Sequence, residues 1–222
     1  MRNLVIVPLP GGGGNNGINM TAGLRLTVEN CLIANLPATG IYVNDGANVR
    51  VTDTTIRDST YGLWLEGGAR ATVMRATISG ALFTALLVYG TGANTTTADI
   101  ADSSIDANGT GVSAYSVDAS GVVKVSVVDS LIARNGAFGL IAESDAGASV
   151  TLSASSNMIS NNATAGMYSL GVGSKMWASG NTVSDNTTGL HNNGGLFESA
   201  GNNAVRNNGT NKTGTISVIP ME

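Results

Sequence analysis

The fold this sequence predicts is an all-β solenoid, a single right-handed parallel β-helix of about nine coils with three short strands per coil. Three observations carry the prediction. The 222 residues include 30 Gly and 23 Asn but only 12% charged residues, and Gly, Asn, Ser and Thr favour turns and caps where helix surfaces favour Ala, Glu, Lys and Arg. A short phrase recurs along the chain at a period of 22 to 27 residues, the signature of stacked structural repeats. Between turn residues no stretch is long enough for a helix of about ten residues.

The phrase is an apolar residue, four small or polar residues, then Ile or Val. It runs Val28 to Ile33, Val51 to Ile56, Val73 to Ile78, Ile100 to Ile105, Val127 to Ile132, Ala154 to Ile159, Ala178 to Val183 and Ala200 to Val205. A second strand follows each copy, usually opening on Gly and an apolar residue, as in Gly40-Ile41, Gly62-Leu63, Gly111-Val112, Gly139-Leu140, Gly166-Met167 and Gly189-Leu190. Asn16 to Met20 is an earlier member, and Thr215 to Val218 a final one. Such strands cannot bury a face alone, so each must stack on its equivalent in the next coil.

Alternation assigns sides. In the strand before the phrase, Leu26 and Val28, Val49 and Val51, Ala71 and Val73, Val125 and Val127, and Leu152 and Ala154 point inward, while Arg25, Thr27, Arg50, Arg70, Thr72, Lys124 and Lys175 point out. Two positions before each closing Ile or Val lies a column of small residues: Cys31, Thr54, Ala76, Ser103, Ser130, Asn157, Asn181 and Asn203. These are expected to stack at a bend and satisfy one another, because buried polar groups need partners. Three positions after it, Asn108, Asn135, Asn162, Asn186 and Asn208 form a second column suited to turns in the left-handed backbone region.

The recurrent pattern Val-x-Asp/Asn-Ser/Thr-x-Ile, then Asn, then Gly-Ile, resembles the right-handed parallel β-helix repeat family of the pectate-lyase-like superfamily, over about Asn16 to Val218. The resemblance implies one β-helix domain. Residues 1–23 make an incomplete N-terminal coil or cap, 24–210 the regular coils, and 211–222 a C-terminal strand and end. It also implies a secreted or cell-surface protein acting on or binding polysaccharide, with one sheet as the floor of the ligand groove. The superfamily's enzyme motifs are absent from this chain: there is no Gly-His-Gly, no Arg-Ile-Lys and no Arg-x-Pro-x-x-Arg.

Composition narrows the function classes. A net charge of −4 without a basic run argues against nucleic acid as partner. The N-terminal apolar run is broken at Pro8 and reads neither as a secretory signal nor as a membrane span. Cys31 is the one cysteine, so it makes no internal disulfide. His191 is the one histidine, which excludes a multi-histidine metal site. Gly11 to Gly14 open no helix, so they read as a loop rather than a phosphate cradle.

The most informative feature is the outer face of the Gly-apolar strand. One outward column holds Asn19, Tyr42, Trp64, Leu87, Ser113, Ile141, Tyr168 and His191, and the next holds Thr21, Asn44, Glu66, Tyr89, Tyr115, Glu143, Leu170 and Asn193. Aromatic rings offer flat apolar faces with polar edges, suited to sugars. The candidate ligand-binding residues are therefore Tyr42, Trp64, Glu66, Tyr89, Tyr115, Glu143, Tyr168 and His191, unless loops near Thr91 to Thr97 and Ser116 to Gly121 cover them.

Two functions compete. One is a noncatalytic polysaccharide-binding or surface-structural protein, needing neither metal nor cofactor. The other is a lyase or glycoside hydrolase acting on a uronate-containing polysaccharide. Glu66 and Glu143 stand three coils apart, about 14 Å at the usual strand spacing, too far for the 5 to 9.5 Å that paired glycosidase carboxylates need (order of magnitude). A lyase would instead draw on Asp45, Asp53, Asp58 and Glu66, with Arg50, Arg57 or Arg70, to hold Ca²⁺ against a uronate. The incomplete first coil leads us to expect that Leu4 to Leu9 fold over the open core, or that two chains meet there in an end-to-end homodimer.

Overall fold

The computed structural model describes residues 1–219. Those residues form three nine-stranded sheets, and the chain visits the sheets in rotation. In each coil a strand of the first sheet, such as Val122–Val128, is followed by a three-residue strand of the second, Leu131–Ala133, and by a strand of the third, Phe138–Ser144. All strand pairs are parallel and join successive coils. Among the described residues none is helical, so no helix is long and apolar enough to cross a membrane.

The inward columns assigned by alternation make one continuous core. Val28, Val51, Val73 and Val127 are fully buried from the first sheet, Ile33, Ile56, Ile105 and Ile132 from the second, and Ile41, Leu63, Val112 and Leu140 from the third. Each such aliphatic contributes about 1.5–3 kcal/mol on burial, and stacking supplies that burial without long strands.

The corners are polar and satisfied. Along the first column Ser103 N donates to Ser130 Oγ at 3.1 Å, Ser130 N to Asn157 Oδ1 at 3.0 Å, and Asn157 N to Asn181 Oδ1 at 2.9 Å. The second column repeats the arrangement from Asn108 to Asn208, each side-chain oxygen accepting from the coil before it. One expectation is corrected here. The left-handed residue is not the ladder Asn but the one preceding it, as at Ala107 (φ 55), Arg134 (φ 52), Asn161 (φ 57), Asp185 (φ 58) and Asn207 (φ 57). The ladder residue must aim its amide into the core, and the backbone reverses one residue earlier to let it do so. The same holds at Asp102 (φ 51) and Asp129 (φ 49) before the first column, which explains why Asp or Asn precedes Ser in the repeated phrase.

The Gly that opens the third strand is required by close approach. A Cβ on Gly139 would lie 2.6 Å from the Gly166 carbonyl oxygen and 2.9 Å from the Asn162 amide nitrogen, so a side chain there would strike both the next coil and the ladder.

A second correction concerns the N-terminus. Leu4 to Leu9 do not fold over the core. Val5 and Ile6 pair in register with Leu32 and Ile33 as the first strand of the second sheet, and Leu32 N donates to Leu4 O at 2.9 Å. Ile6 packs on the core, while Leu4, Val5, Val7 and Leu9 are exposed. The repeat register captures this segment because its backbone groups pair best by continuing the ladder. At the other end the expected last strand is Ile216–Val218; residues 220–222 of the expected end segment lie outside the described residues.

Candidate functional site

The third sheet places its two outward columns in the register read from the repeat. Asn19 pairs with Tyr42, Tyr42 with Trp64, Trp64 with Leu87, Leu87 with Ser113, Ser113 with Ile141, Ile141 with Tyr168 and Tyr168 with His191. Beside this column Asn44 faces Glu66, Tyr89 faces Tyr115, and Tyr115 faces Glu143.

Side-chain size along these columns shapes the surface. Between bulky Trp64 and Tyr168 the first column drops to Leu87, Ser113 and Ile141, which form the floor of a groove of about 370 Å³. Tyr89, Tyr115 and Glu143 flank it on one side, Thr84, Thr110 and Phe138 on the other, and Tyr61 with Trp64 closes one end. The insertions near Thr91 to Thr97 and Ser116 to Gly121 contribute nothing to its lining; they pack on each other instead, Gly92 N donating to Asp118 Oδ2 at 3.1 Å.

The rings touch one another, edge to face where Trp64 meets Tyr42 and Tyr89 and tilted where Tyr61 meets Trp64 and Tyr89 meets Tyr115. Trp64 meets Tyr42 at 5.7 Å, Tyr61 at 4.8 Å and Tyr89 at 6.2 Å between centroids, and Tyr89 meets Tyr115 at 5.5 Å. Glu66 fixes the Trp64 end: its Oε1 accepts from the Tyr42 hydroxyl at 2.5 Å and its Oε2 from Trp64 Nε1–H at 3.0 Å. Hydrogen bonds to a carboxylate are the stronger kind, so the indole's orientation is set before any ligand arrives. A separate stack lies further along, with Phe138 on Tyr168 at 5.0 Å and Tyr168 on His191 at 4.5 Å. Tyr168 is nearly buried there. His191, which follows Tyr168 in that outward column, is half-buried against that ring.

The groove is anionic and partly desolvated. Burial, together with the charge of Asp145, raises the Glu143 carboxyl above its ordinary range. Burial and the hydrogen bond to Glu66 raise the Tyr42 phenol, and burial with the charges of Glu66 and Asp145 raises Tyr89. Tyr115 is pushed up to about 12, first by burial and then by its hydrogen bond to Asp145 Oδ2 at 2.9 Å. A raised folded-state value means that folding favours the neutral phenol. The stability this adds is therefore present below the unfolded value near 10.0 and is lost as pH rises towards about 12. In a titration of phenolate absorbance, the last tyrosine to ionise should disappear in Tyr115→Phe, and an unchanged upper limb would refute the assignment.

Trp64, Tyr89, Tyr115 and Glu143 thus line the groove, Tyr42 and Glu66 brace it, and Tyr168 and His191 stand beyond it. Sequence reasoning did not single out Tyr61, Phe83 or Phe138. Tyr61 bridges Trp64 and Phe83, its ring 4.8 Å from the first and 5.7 Å from the second.

The acidic group considered for a lyase is not brought together. Asp45 accepts from Gly23 N at 3.1 Å and Asp53 takes both Arg75 Nε and an Arg75 terminal nitrogen, at 2.7 and 2.8 Å. Asp58 pairs with Arg57, and Glu66 lies on the third sheet. Asp45 follows Asn44, which pairs with Glu66 where the third-sheet strands end, whereas Asp53 and Asp58 follow strands of the first and second sheets and so lie at other corners of the coil. Among the described residues no three of His, Cys, Asp or Glu gather where a metal ion could be held.

Three parallel sheets wound coil upon coil define a β-helix with an aromatic groove along one outer wall. The chain belongs to the right-handed beta helix family, whose model, described as the right handed beta helix region, matches residues 11–154. No curated protein matches the sequence. Among solved structures, the crystal structure of the periplasmic alginate epimerase AlgG is similar, with a TM-score of 0.58 at 10% identity over 89% of this chain and 46% of that one. The chain therefore spans about half the length of that structure, and at this identity the likeness is one of fold.

Proposed function

We propose that this protein binds a polysaccharide along the outer face of its third sheet, the chain running over Leu87, Ser113 and Ile141 with sugar faces against Trp64, Tyr89 and Tyr115. The single observation that carries this reading is the groove itself, an open trough walled by aromatic rings that are braced by hydrogen bonds. Preset apolar faces with a few convergent polar groups are how sites hold sugars without reorganising. The similarity to an alginate epimerase supports polysaccharide as the ligand class. The charge of the wall favours neutral or weakly charged sugars: the lining holds one carboxylate, Glu143, and neither Lys nor Arg. The lining itself holds one carboxylate rather than the pair a glycosidase uses, which favours binding over hydrolysis.

Indole fluorescence tests this directly. The chain has two Trp, and the second, Trp177, lies on the first sheet, so a Trp177→Phe background isolates Trp64. We expect saturable quenching or a blue shift with at least one member of a panel of neutral glucans, mannans, xylans and galactans. No response to any neutral or acidic polysaccharide would overturn the reading.

A further inference from the structure

The first sheet carries a second groove that the function proposed above does not use. It is about 670 Å³ in size and lies across four coils. Arg25, Asn48 and Arg70 share one outward column, and Arg50 stands between Thr27 and Thr72 in the next. Strands stack at about 4.8 Å and side chains on one face recur every 6.6–6.8 Å or so along a strand. The two outer Arg positions are therefore about 10 Å apart, with Arg50 in the intervening coil about 8 Å from each. Three guanidinium groups on flexible stems thus converge on one concave surface.

These cations are uncommitted. Ion pairs commit Arg2, Arg57, Arg75, Arg134 and Lys175 to carboxylates. Among the described residues Arg25 and Arg70 are in no ion pair, and Arg50 donates its Nε to Thr52 Oγ1 at 3.3 Å. Of the acids at the groove, Glu29 pairs with Arg2, leaving Asp99. A further trough continues the face past Asp99 to Lys124, Thr151 and Ser153. A chain of net charge −4 thus gathers unpaired cations on one face, interleaved with hydroxyls, while the aromatic groove of the third sheet carries a carboxylate.

We infer that this groove is a binding site for an anionic polysaccharide, its carboxylate or sulfate groups held by Arg25, Arg50 and Arg70 and its hydroxyls by the intervening threonines. Guanidinium forks match the geometry of such oxyanions. A repeating anionic chain suits the site better than a single ion, because the three positions are spaced along the coil stack rather than focused on a point. The inference stands independently of the aromatic groove, since that groove favours neutral sugars and this one anionic chains. Together they make a protein that can bridge a neutral and an anionic polymer.

The test is calorimetric titration of the full chain with dextran sulfate and with polygalacturonate, the two arms separating sulfate from carboxylate. A short oligothymidylate serves as the nucleic-acid arm. We expect binding to at least one polyanion that weakens as salt is raised and falls at least tenfold in the double variant Arg50→Gln/Arg70→Gln. Both residues are exposed, so the variant should keep the native thermal midpoint, and Trp64→Ala should leave the polyanion affinity unchanged. Absence of binding to both polymers, an affinity indifferent to the double substitution, or tighter binding of the oligonucleotide than of either polysaccharide would overturn the inference. None of these results bears on the Trp64 response to neutral glycans.

Discussion

Asn162→Ala will cost this protein about 3 kcal/mol of stability or more, although the side chain it removes is polar, at roughly 1–3 kcal/mol per orphaned buried group. Asn162 Oδ1 accepts from both the backbone N–H and the side-chain amide of Asn135, at 3.2 and 2.9 Å, and its own amide donates to Ile132 O at 3.3 Å and to Asn186 Oδ1 at 2.9 Å. These partners sit inside the wall, where Asn162 and Asn135 are each 1% exposed and Asn186 is 3% exposed. The same substitution at Asn208 removes equivalent bonds at the end of the ladder, but that residue is half-open to solvent, and water can replace what is lost. Its cost should stay below about 1 kcal/mol. Denaturant midpoints of the two variants decide the matter, and equal losses would show that the ladder is not what holds the corners.

That contrast also marks what can be read from sequence. The period places every ladder residue, because a column is defined by counting, and the inward aliphatic columns follow from alternation. Counting alone does not reveal which residue of a corner carries the left-handed backbone. Asn favours that region in general, but here the ladder Asn is needed for its amide, and residues as different as Ala107 and Arg134 take the reversal instead.

The groove was legible in its register but not in its shape. Its floor exists because Ser113 and its neighbours are smaller than the rings at either end, a relation between coils that no single strand displays. Tyr61 escaped notice for a local reason. Pairing runs from Tyr61 opposite Thr84 directly to Leu63 opposite Leu86. Gly62 and Leu63 are both buried, so alternation breaks at the glycine. Strict period-two reading would put Tyr61 inside with Leu63, whereas the break turns it out against Trp64. The same shift turns Phe138 out before Gly139, and an aromatic immediately before the repeated Gly is the signal that would have found both.

Replacing Tyr89 and Tyr115 together by Ala should weaken glycan binding at least about tenfold, equivalent to 1.4 kcal/mol, because two adjacent rings supply most of one wall of the groove and stacked aromatics are common anchors of binding energy. Glu66→Gln provides the sharper comparison. Glu66 is absent from the lining, so it touches no sugar in the proposed pose and can act only by positioning Trp64. A carboxylate accepts from Tyr42 and Trp64 at once, whereas an amide has one acceptor oxygen and turns its NH₂ towards a second donor. The Tyr42 hydroxyl must then accept from that NH₂ instead of donating, both bonds lose their charge assistance, and the indole's brace weakens. The expected loss is about threefold to tenfold, from the roughly 0.5–1.5 kcal/mol of one hydrogen bond. A structural loss elsewhere could mimic that number, so the decisive readouts are local. The Trp64 emission of the free protein should shift to the red, and the Tyr42 phenol, now raised partly by its bond to Glu66, should ionise at lower pH. If Glu66→Gln weakens binding while both signals stay in place, Glu66 contacts the ligand itself and the sugar path must extend past Trp64 towards Tyr42.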